Sequence, residues 1–319
     1  MLRLFFGVGI FLATLVVIVV RPYRVTEAMA SAGGALLMIA GGFVGIREAA
    51  SVLIGQWNTL GFFLGLMAIS AVAEEAGVFE TLAFQAARWG RGNSTRLYIA
   101  VFSVGTVISA FLSNDATALI LTPVVYALVT RLRLPVLPFM FACTFIADTA
   151  SFILPVSNPI NILILHSFGG GLVTFLRYLA LPSLAAVVLN CIIFLWLFRS
   201  DLAQDYSLSA LPAPRIVDTR FLAVTACILA LIVVSYLAAS LTGVPLSYVA
   251  LGGGILMAAA ALLLRRLRPA VLVRKISWSL FIFVGGMFIV VKAVEDLGLT
   301  AAFGRMLLGL AAGRPLAAV

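Results

Sequence analysis

SNDATALILTP (Ser113 to Pro123) and PVSNPINIL (Pro155 to Leu163) are two short polar runs in sequence that is otherwise apolar enough for a bilayer interior. An unmet backbone or amide group there costs several kcal/mol, and non-helical backbone is tolerated only where it lines a cavity or is covered by protein. The two runs are therefore expected to form the walls of one binding site.

The surrounding composition sets the class. The chain is 63% hydrophobic and 10% charged, with long apolar runs at repeated intervals, which marks a polytopic, all-α membrane protein rather than a soluble domain. The net charge of +9 does not indicate nucleic-acid binding, because the arginines sit in short connections between apolar spans, where they set orientation. Cys143, Cys191 and Cys227 lie in separate apolar segments without metal-ligand spacing, so they read as packing residues, with no disulfide framework, thiol metal site or cofactor. The N-terminal apolar run is too long for a signal peptide, and Arg21 and Arg24 stand between it and Ala28-Met29-Ala30, so it reads as a retained helix.

About 20 apolar residues cross a bilayer. Helices are predicted near 4–20, 25–46 and 57–77, followed by a polar connection at 78–96. A re-entrant helical hairpin at 97–131 has two short limbs meeting at Ser113-Asn114-Asp115. A broken helix at 135–167 is interrupted at Pro155 to Pro159, and an interfacial piece at 171–179 precedes a span at 180–198. One long hydrophilic loop, 200–218, separates an N-terminal half (1–199) from the start of a second half (219–319), with spans near 221–241, 245–264 and 277–294.

The positive-inside rule tests this count. With the hairpin returning to its own side and 135–167 crossing once, the basic groups at 21–24, 88–96, 131–133, 199–220 and 265–275 share one face. Arg3, Arg47, Arg177, Arg305 and Arg314 occupy the other. Two full crossings by 135–179 would erase the asymmetry. The N-terminus is thus placed outside a plasma (inner) membrane and the 200–218 loop in the cytoplasm.

Trp57 to Gly77 (WNTLGFFLGLMAISAVAEEAG) and Trp278 to Gly298 (WSLFIFVGGMFIVVKAVEDLG) share an aromatic start, a central Gly-x-Met and an acidic pair before a Gly. The topology gives them opposite directions, an inverted repeat of the kind that builds secondary transporters. The counterpart of Asn114 in the second copy would fall beyond Val319, so the second repeat reads as incomplete. Truncation is preferred over a half-site completed by another subunit, because an inverted-repeat site lies between both halves.

Asp115 and Asp148 are the acids placed deepest in the membrane, where a carboxylate marks an ion pathway or proton relay. The structural alternative for Asp115 is a helix N-cap after the hairpin tip. FIADTAS places Asp148 on one helix face with Thr144 and Ser151. Ser113, Asn114, Thr117, Ser157, Asn158 and Asn161 supply hydroxyls and amides suited to a neutral polyhydroxylated solute or a small oxyanion. Pro123, Pro155 and Pro159 account for the breaks, and Thr122 is expected to bond back to its own helix. His166 reads as interfacial, Lys292 as a snorkelling lysine and Gly169-Gly170-Gly171 as a turn.

WGRGNSTRLYIAVFSVGTVISAFLSNDATALILTPVV, FIADTASFILPVSNPINIL and RSDLAQDY strongly resemble the arsenite permeases, the membrane component of arsenical resistance pumps, within the ion transporter superfamily. The similarity runs from about Arg21 to the last residue and holds in loops as well as spans. Ser113 to Thr117 is also similar to the Ser-Asn-Thr signature of dicarboxylate and sodium symporters, and Ser157 to Asn161 falls where those carry Gly-Thr-Pro-Pro-Asn. The resemblance implies export of arsenite and antimonite in exchange for protons and an elevator-like movement of the hairpin-bearing part. It also implies a soluble ATPase partner at the cytoplasmic face in some members, and a homodimer. Carried over, Ser113, Asn114, Thr117, Ser157, Asn158 and Asn161 would meet substrate, and Asp115, then Asp148, would couple protons. Asp115 to Thr117 reads DAT where many arsenite permeases have Asp-Gly-Ala, which bears on substrate choice.

Two other readings stand beside the exporter. A related carboxylate/sodium symporter or sodium/proton antiporter would share the fold, yet no Arg or Lys lies within either polar run to hold a carboxylate. An intramembrane aspartyl protease with Asp115 and Asp148 as its dyad leaves the repeat and the Asn and Ser cluster unexplained. The chain is therefore read as a transporter, not an enzyme.

Overall fold

Capping residues and breakers divide the apolar sequence into helices. In the computed structural model, which describes residues 2–158, 160–161, 164, 172–211, 218–300 and 304–305, these are α1 (Leu2–Val20), α2 (Glu27–Ala40), α3 (Ile46–Gly55), α4 (Trp57–Glu75), α5 (Val78–Trp89), α6 (Ser94–Phe111), α7 (Thr122–Arg131), α8 (Val136–Thr149), α9 (Leu181–Leu197), α10 (Thr219–Thr242), α11 (Leu246–Leu263), α12 (Pro269–Lys275) and α13 (Trp278–Asp296). Thr26, Asn93 and Asp218 accept the first free amides of α2, α6 and α10, as N-caps do. Among the described residues no strand forms, only an isolated bridge between Asn93 and Asp205.

Among the described residues, seven helical stretches are long and apolar enough to cross a membrane: Arg3–Val20, Trp57–Glu75, Ser94–Phe111, Val173–Leu197, Thr219–Ala239, Leu246–Leu263 and Trp278–Asp296. The division differs from the sequence reading in four places, one being the first limb of the 97–131 hairpin: expected to be short of a crossing, it is Ser94–Phe111, one of these seven. The span expected at 25–46 stops at Ala40, because Gly41 and the left-handed Gly42 end α2. The connection expected at 78–96 contains a helix, α5, whose Val78, Phe79, Ala83, Ala86 and Ala87 form a buried face against α6 and α7. The pieces expected at 171–179 and 180–198 join into one stretch, carried over Pro182 by a π turn at Leu176–Ala180.

The chain divides into two compact units, residues 1–60 with 277–319, and Gly61–Ile276. In the first, α2 packs on α13 and α1, and α3 on α13, around Met38, Val44, Val290 and Ala293. In the second, α8 is flanked by α6, α7 and α9, while α10 packs on α11. Tyr98 and Phe139, both fully buried, meet edge to face inside it.

Each unit contains one very close helix crossing. A Cβ on Gly286 of α13 would lie 2.7 Å from the Ser31 carbonyl carbon of α2, and one on Gly65 of α4 would lie 2.2 Å from that of Ala250 in α11. Neither position tolerates a side chain. The two crossings correspond residue by residue: Gly65 and Gly286 stand equally far from Trp57 and Trp278, and Ser31 in ASAGGALLM (30–38) aligns with Ala250 in VALGGGILM (249–257). Gly77 and Gly298, which end the two Trp-initiated stretches, both take left-handed backbone, a conformation with little cost only for glycine.

The 200–211 loop does not hang free. Tyr206 donates its amide to Gly92 O at 2.6 Å and its hydroxyl to Ala87 O, while the Ser94 amide donates to Gln204 O at 3.0 Å.

Candidate functional site

The first polar run forms the tip and returning limb of a helical hairpin. After α6, Leu112 turns the chain and Ser113 Oγ accepts the Ala116 amide at 3.0 Å, so Ser113, not Asp115, caps the returning helix. That helix passes through a π turn at Ala116–Leu121 before α7. Pro123 explains the turn: it has no N–H for the Leu119 carbonyl, and its ring crowds the preceding turn. The displaced bonding converges on Thr117 O, which accepts both the Thr122 amide and, at 3.0 Å, Thr122 Oγ1. Thr122 thus bonds back to its own helix as anticipated, one residue further than an α-helix would require.

Thr117 points inward, fully buried, with its hydroxyl 2.7 Å from Ser109 Oγ of α6, and Ser113 is buried beside it. Asn114 and Asp115 face the other way. Asn114 Oδ1 accepts only the Asp115 amide at 2.9 Å, and the exposed Asp115 carboxylate has no hydrogen-bond or ionic partner among the described residues. The first run therefore divides into an inward pair that holds the hairpin closed and an outward pair with spare bonding capacity.

In the second run the helix ends outright. α8 tightens into a 3₁₀ turn at Ala150–Phe152, a second 3₁₀ turn covers Pro155–Ser157, and Asn158 is extended. Ser151 O has no helical partner because Pro155 lacks an N–H, Leu154 O keeps the Ser157 amide at 3.2 Å, and two side chains bond both carbonyls. Ser157 Oγ donates to Leu154 O at 2.5 Å and also bonds Ser151 O, while Asn161 Nδ2 donates to Ser151 O at 2.6 Å and Leu154 O at 3.3 Å. Ser157 and Asn161 are buried, and Asn161 Oδ1 is buried without a hydrogen-bond partner among the described residues. Asn158 is half-buried and accepts the Ile160 amide at 3.1 Å. Pro159, His166 and Gly169-Gly170-Gly171 lie outside the described residues.

Helix α6 brings the runs together: the π turn packs on α6 and α8, and the Pro155–Ser157 turn packs on α6. Asp148 is exposed one turn after exposed Thr144, but Ser151, expected on the same face, is buried and donates to Asp148 O at 2.6 Å. Sequence reasoning missed Ser109, the inward partner of Thr117, and Ser183 of α9, whose hydroxyl donates to Thr149 O beside the break. Ser109 had a signal, since it stands two turns before Thr117 across the tip.

The acidic pairs near the ends of α4 and α13 hold lysines. Lys275 lies 2.9 Å from Glu74 and 3.3 Å from Glu75; Lys292, expected to snorkel, lies 2.8 Å from Asp296. Partial burial alone would lower the Lys275 pKa, but the hydrogen bonds and charges of Glu74, then Glu75, carry it above the ordinary lysine value. The Arg220 amide and the Arg266 guanidinium, 2.6 Å away, hold the Asp218 carboxyl below the usual range.

Comparison with known proteins places this geometry. Residues 14–319 match the family described as citrate transporter. The chain is 31% identical over 297 residues to an arsenical pump membrane protein of Escherichia coli, covering 92% of this chain and 69% of that protein. It is 30% identical, over the same shares, to an arsenical pump membrane protein of Yersinia enterocolitica. An uncharacterized transporter of Synechocystis is 24% identical over 95% of this chain and 68% of its own length.

Proposed function

The chain belongs to the citrate transporter family, with the arsenical pump membrane proteins among its relatives, and from that premise we propose that it is an efflux carrier that exchanges arsenite or antimonite for protons. Membership makes it a multi-pass membrane transporter rather than an enzyme. The observation that carries the finer reading is the hairpin tip: Asn114 and Asp115 face outward with unspent bonding capacity, and neither polar run contains a cation. Arsenite at neutral pH is a small uncharged trihydroxy solute. Amide and hydroxyl groups, each donor and acceptor, complement it without a counter-charge.

In this reading Ser113, Asn114, Thr117, Ser157, Asn158 and Asn161 form the substrate site. Asn114 and Asn158 touch solute, and the inward residues hold the two breaks in shape. Asp115 takes up and releases the coupling proton, with Asp148 as a second acid on its path. The matched crossings Gly65–Ala250 and Gly286–Ser31 support an inverted repeat of which 219–319 is the start of the second copy, and an elevator-like motion of the hairpin-bearing part follows from that architecture. The N-terminus lies outside the inner membrane, the 200–218 loop faces the cytoplasm where a soluble ATPase would dock, and the protein pairs as a dimer.

The second reading is a carboxylate carrier, favoured by the family's description as citrate transporter. Everted membrane vesicles carrying the protein separate the two. Arsenite accumulation that requires an imposed pH gradient and is indifferent to citrate and sodium is the expected result. Sodium- or citrate-dependent flux without arsenite uptake would move the protein to the carboxylate carriers.

A further inference from the structure

A narrow cleft opens where the two polar runs meet the second half of the chain. Phe111, the last residue of α6 before the hairpin tip, forms one wall, Leu154, Pro155 and Val156 of the helix break form another, and Val233 and Tyr236 of α10 form the third. Every wall is apolar except for one group. Tyr236 is 5% exposed, its ring lies 6.4 Å from that of the fully buried Phe62, and its hydroxyl is buried without a hydrogen-bond partner among the described residues. A buried phenol ordinarily finds a partner, and leaving one unmet carries a desolvation cost.

A second orphan adjoins the same wall. The Asn161 carboxamide is anchored through its nitrogen to Ser151 O and Leu154 O, and its oxygen is left buried and unpaired. One orphan is a donor and the other an acceptor. A solute in the cleft must accept from the phenol; a carboxylate would also need a counter-charge, which no wall offers, whereas a neutral hydroxylated solute needs none. The narrowness of the cleft and its lack of a cation point to the same class: a few heavy atoms and no net charge.

We propose that Tyr236 is a substrate-specificity residue, its hydroxyl donating a hydrogen bond to an uncharged hydroxylated solute at the junction of the helix break and the hairpin tip. The inference rests on the arsenite reading above and adds a contact from α10, outside both polar runs.

The test is Tyr236→Phe, which removes one oxygen and keeps the ring against Phe62. Arsenite uptake by everted vesicles is measured over a concentration range for parent and variant, with thermal unfolding of each protein purified in detergent. The expected result is a KM raised about tenfold, as for one lost hydrogen bond in a buried site, with an unfolding temperature equal to or above the parent's. A parental KM in the variant, in vesicles where the parent carries arsenite, overturns the proposal and leaves the arsenite reading intact. A lowered unfolding temperature also overturns it, because the hydroxyl would then have a structural partner. Absence of arsenite flux in the parent itself removes the arsenite reading, and this contact with it.

Discussion

The two breaks draw on the same residue types and use them in opposite ways. At the hairpin tip, Pro123 disturbs a helix that continues: a π turn absorbs the missing bond, Thr117 O collects the displaced donors, and Asn114 and Asp115 remain turned outward. At the second break the helix stops, Ser151 O is left without a backbone donor, and Ser157 and Asn161 are consumed in bonding it and Leu154 O, which keeps the Ser157 amide as well. A polar residue in a membrane segment is therefore not by itself a ligand. Whether it is free depends on how many backbone groups the local break has left unpaired, and the milder break leaves more side chains to spare.

The strongest way to break this contrast is at the tip. Asp115 carries the only carboxylate in either run, and it has no partner among the described residues. Asp115→Asn should abolish gradient-driven arsenite exchange, a loss of at least tenfold in flux on the usual scale of an essential proton carrier, while leaving insertion and thermal unfolding as in the parent. Full exchange by the variant across a range of pH would remove Asp115 from coupling and leave the tip a merely solvated turn.

A paired experiment sharpens the contrast inside the second break. Asn161→Ala leaves Ser151 O with Ser157 as its remaining side-chain donor and opens a gap beside Leu154, so the folded protein should lose about 1–3 kcal/mol, the penalty for unmet buried groups. Thermal or denaturant unfolding in detergent reads this directly. Asn158→Ala, three residues earlier, removes a half-buried side chain that accepts a single amide; it should leave stability within about 0.5 kcal/mol and raise the arsenite KM. If the two variants changed places, Asn161 would be the ligand and Asn158 the brace.

Much of this was legible in the residues. The spans, the two breaks and their prolines follow from apolar length and from the missing proline N–H, and the spacing from Trp57 to Gly77 and from Trp278 to Gly298 anticipated the paired glycines of the close crossings. The division of labour was not legible. Ser113 and Asp115 are both good N-caps, and only the turn at Leu112 decides for Ser113. Ser151 reads as a partner of Asp148 on a helical wheel, but the chain beyond the break folds back over it, its carbonyl accepting from Ser157 and Asn161 and its side chain buried. Helix α5 was passed over because arginines and polar residues surround a face made mostly of alanine, a pattern that resembles a connection until α6 and α7 cover it.

The smallest effect is expected from the thiols, which test whether the polar runs alone make the site. Cys143 of α8 is fully buried; Cys191 is half-buried and Cys227 exposed. A trivalent arsenical bound through sulfur needs thiols that converge, whereas these occupy α8, α9 and α10 with unlike exposures. Cys143→Ser places a hydroxyl of similar size in a fully buried site and should cost about 1–3 kcal/mol of stability. Replacing all three cysteines with serine should leave arsenite flux within about twofold of the parent, well under the tenfold that 1.4 kcal/mol represents. Loss of flux in a well-inserted triple variant would transfer substrate capture from the oxygen and amide groups of the two breaks to sulfur, and the contrast between the breaks would then describe folding alone.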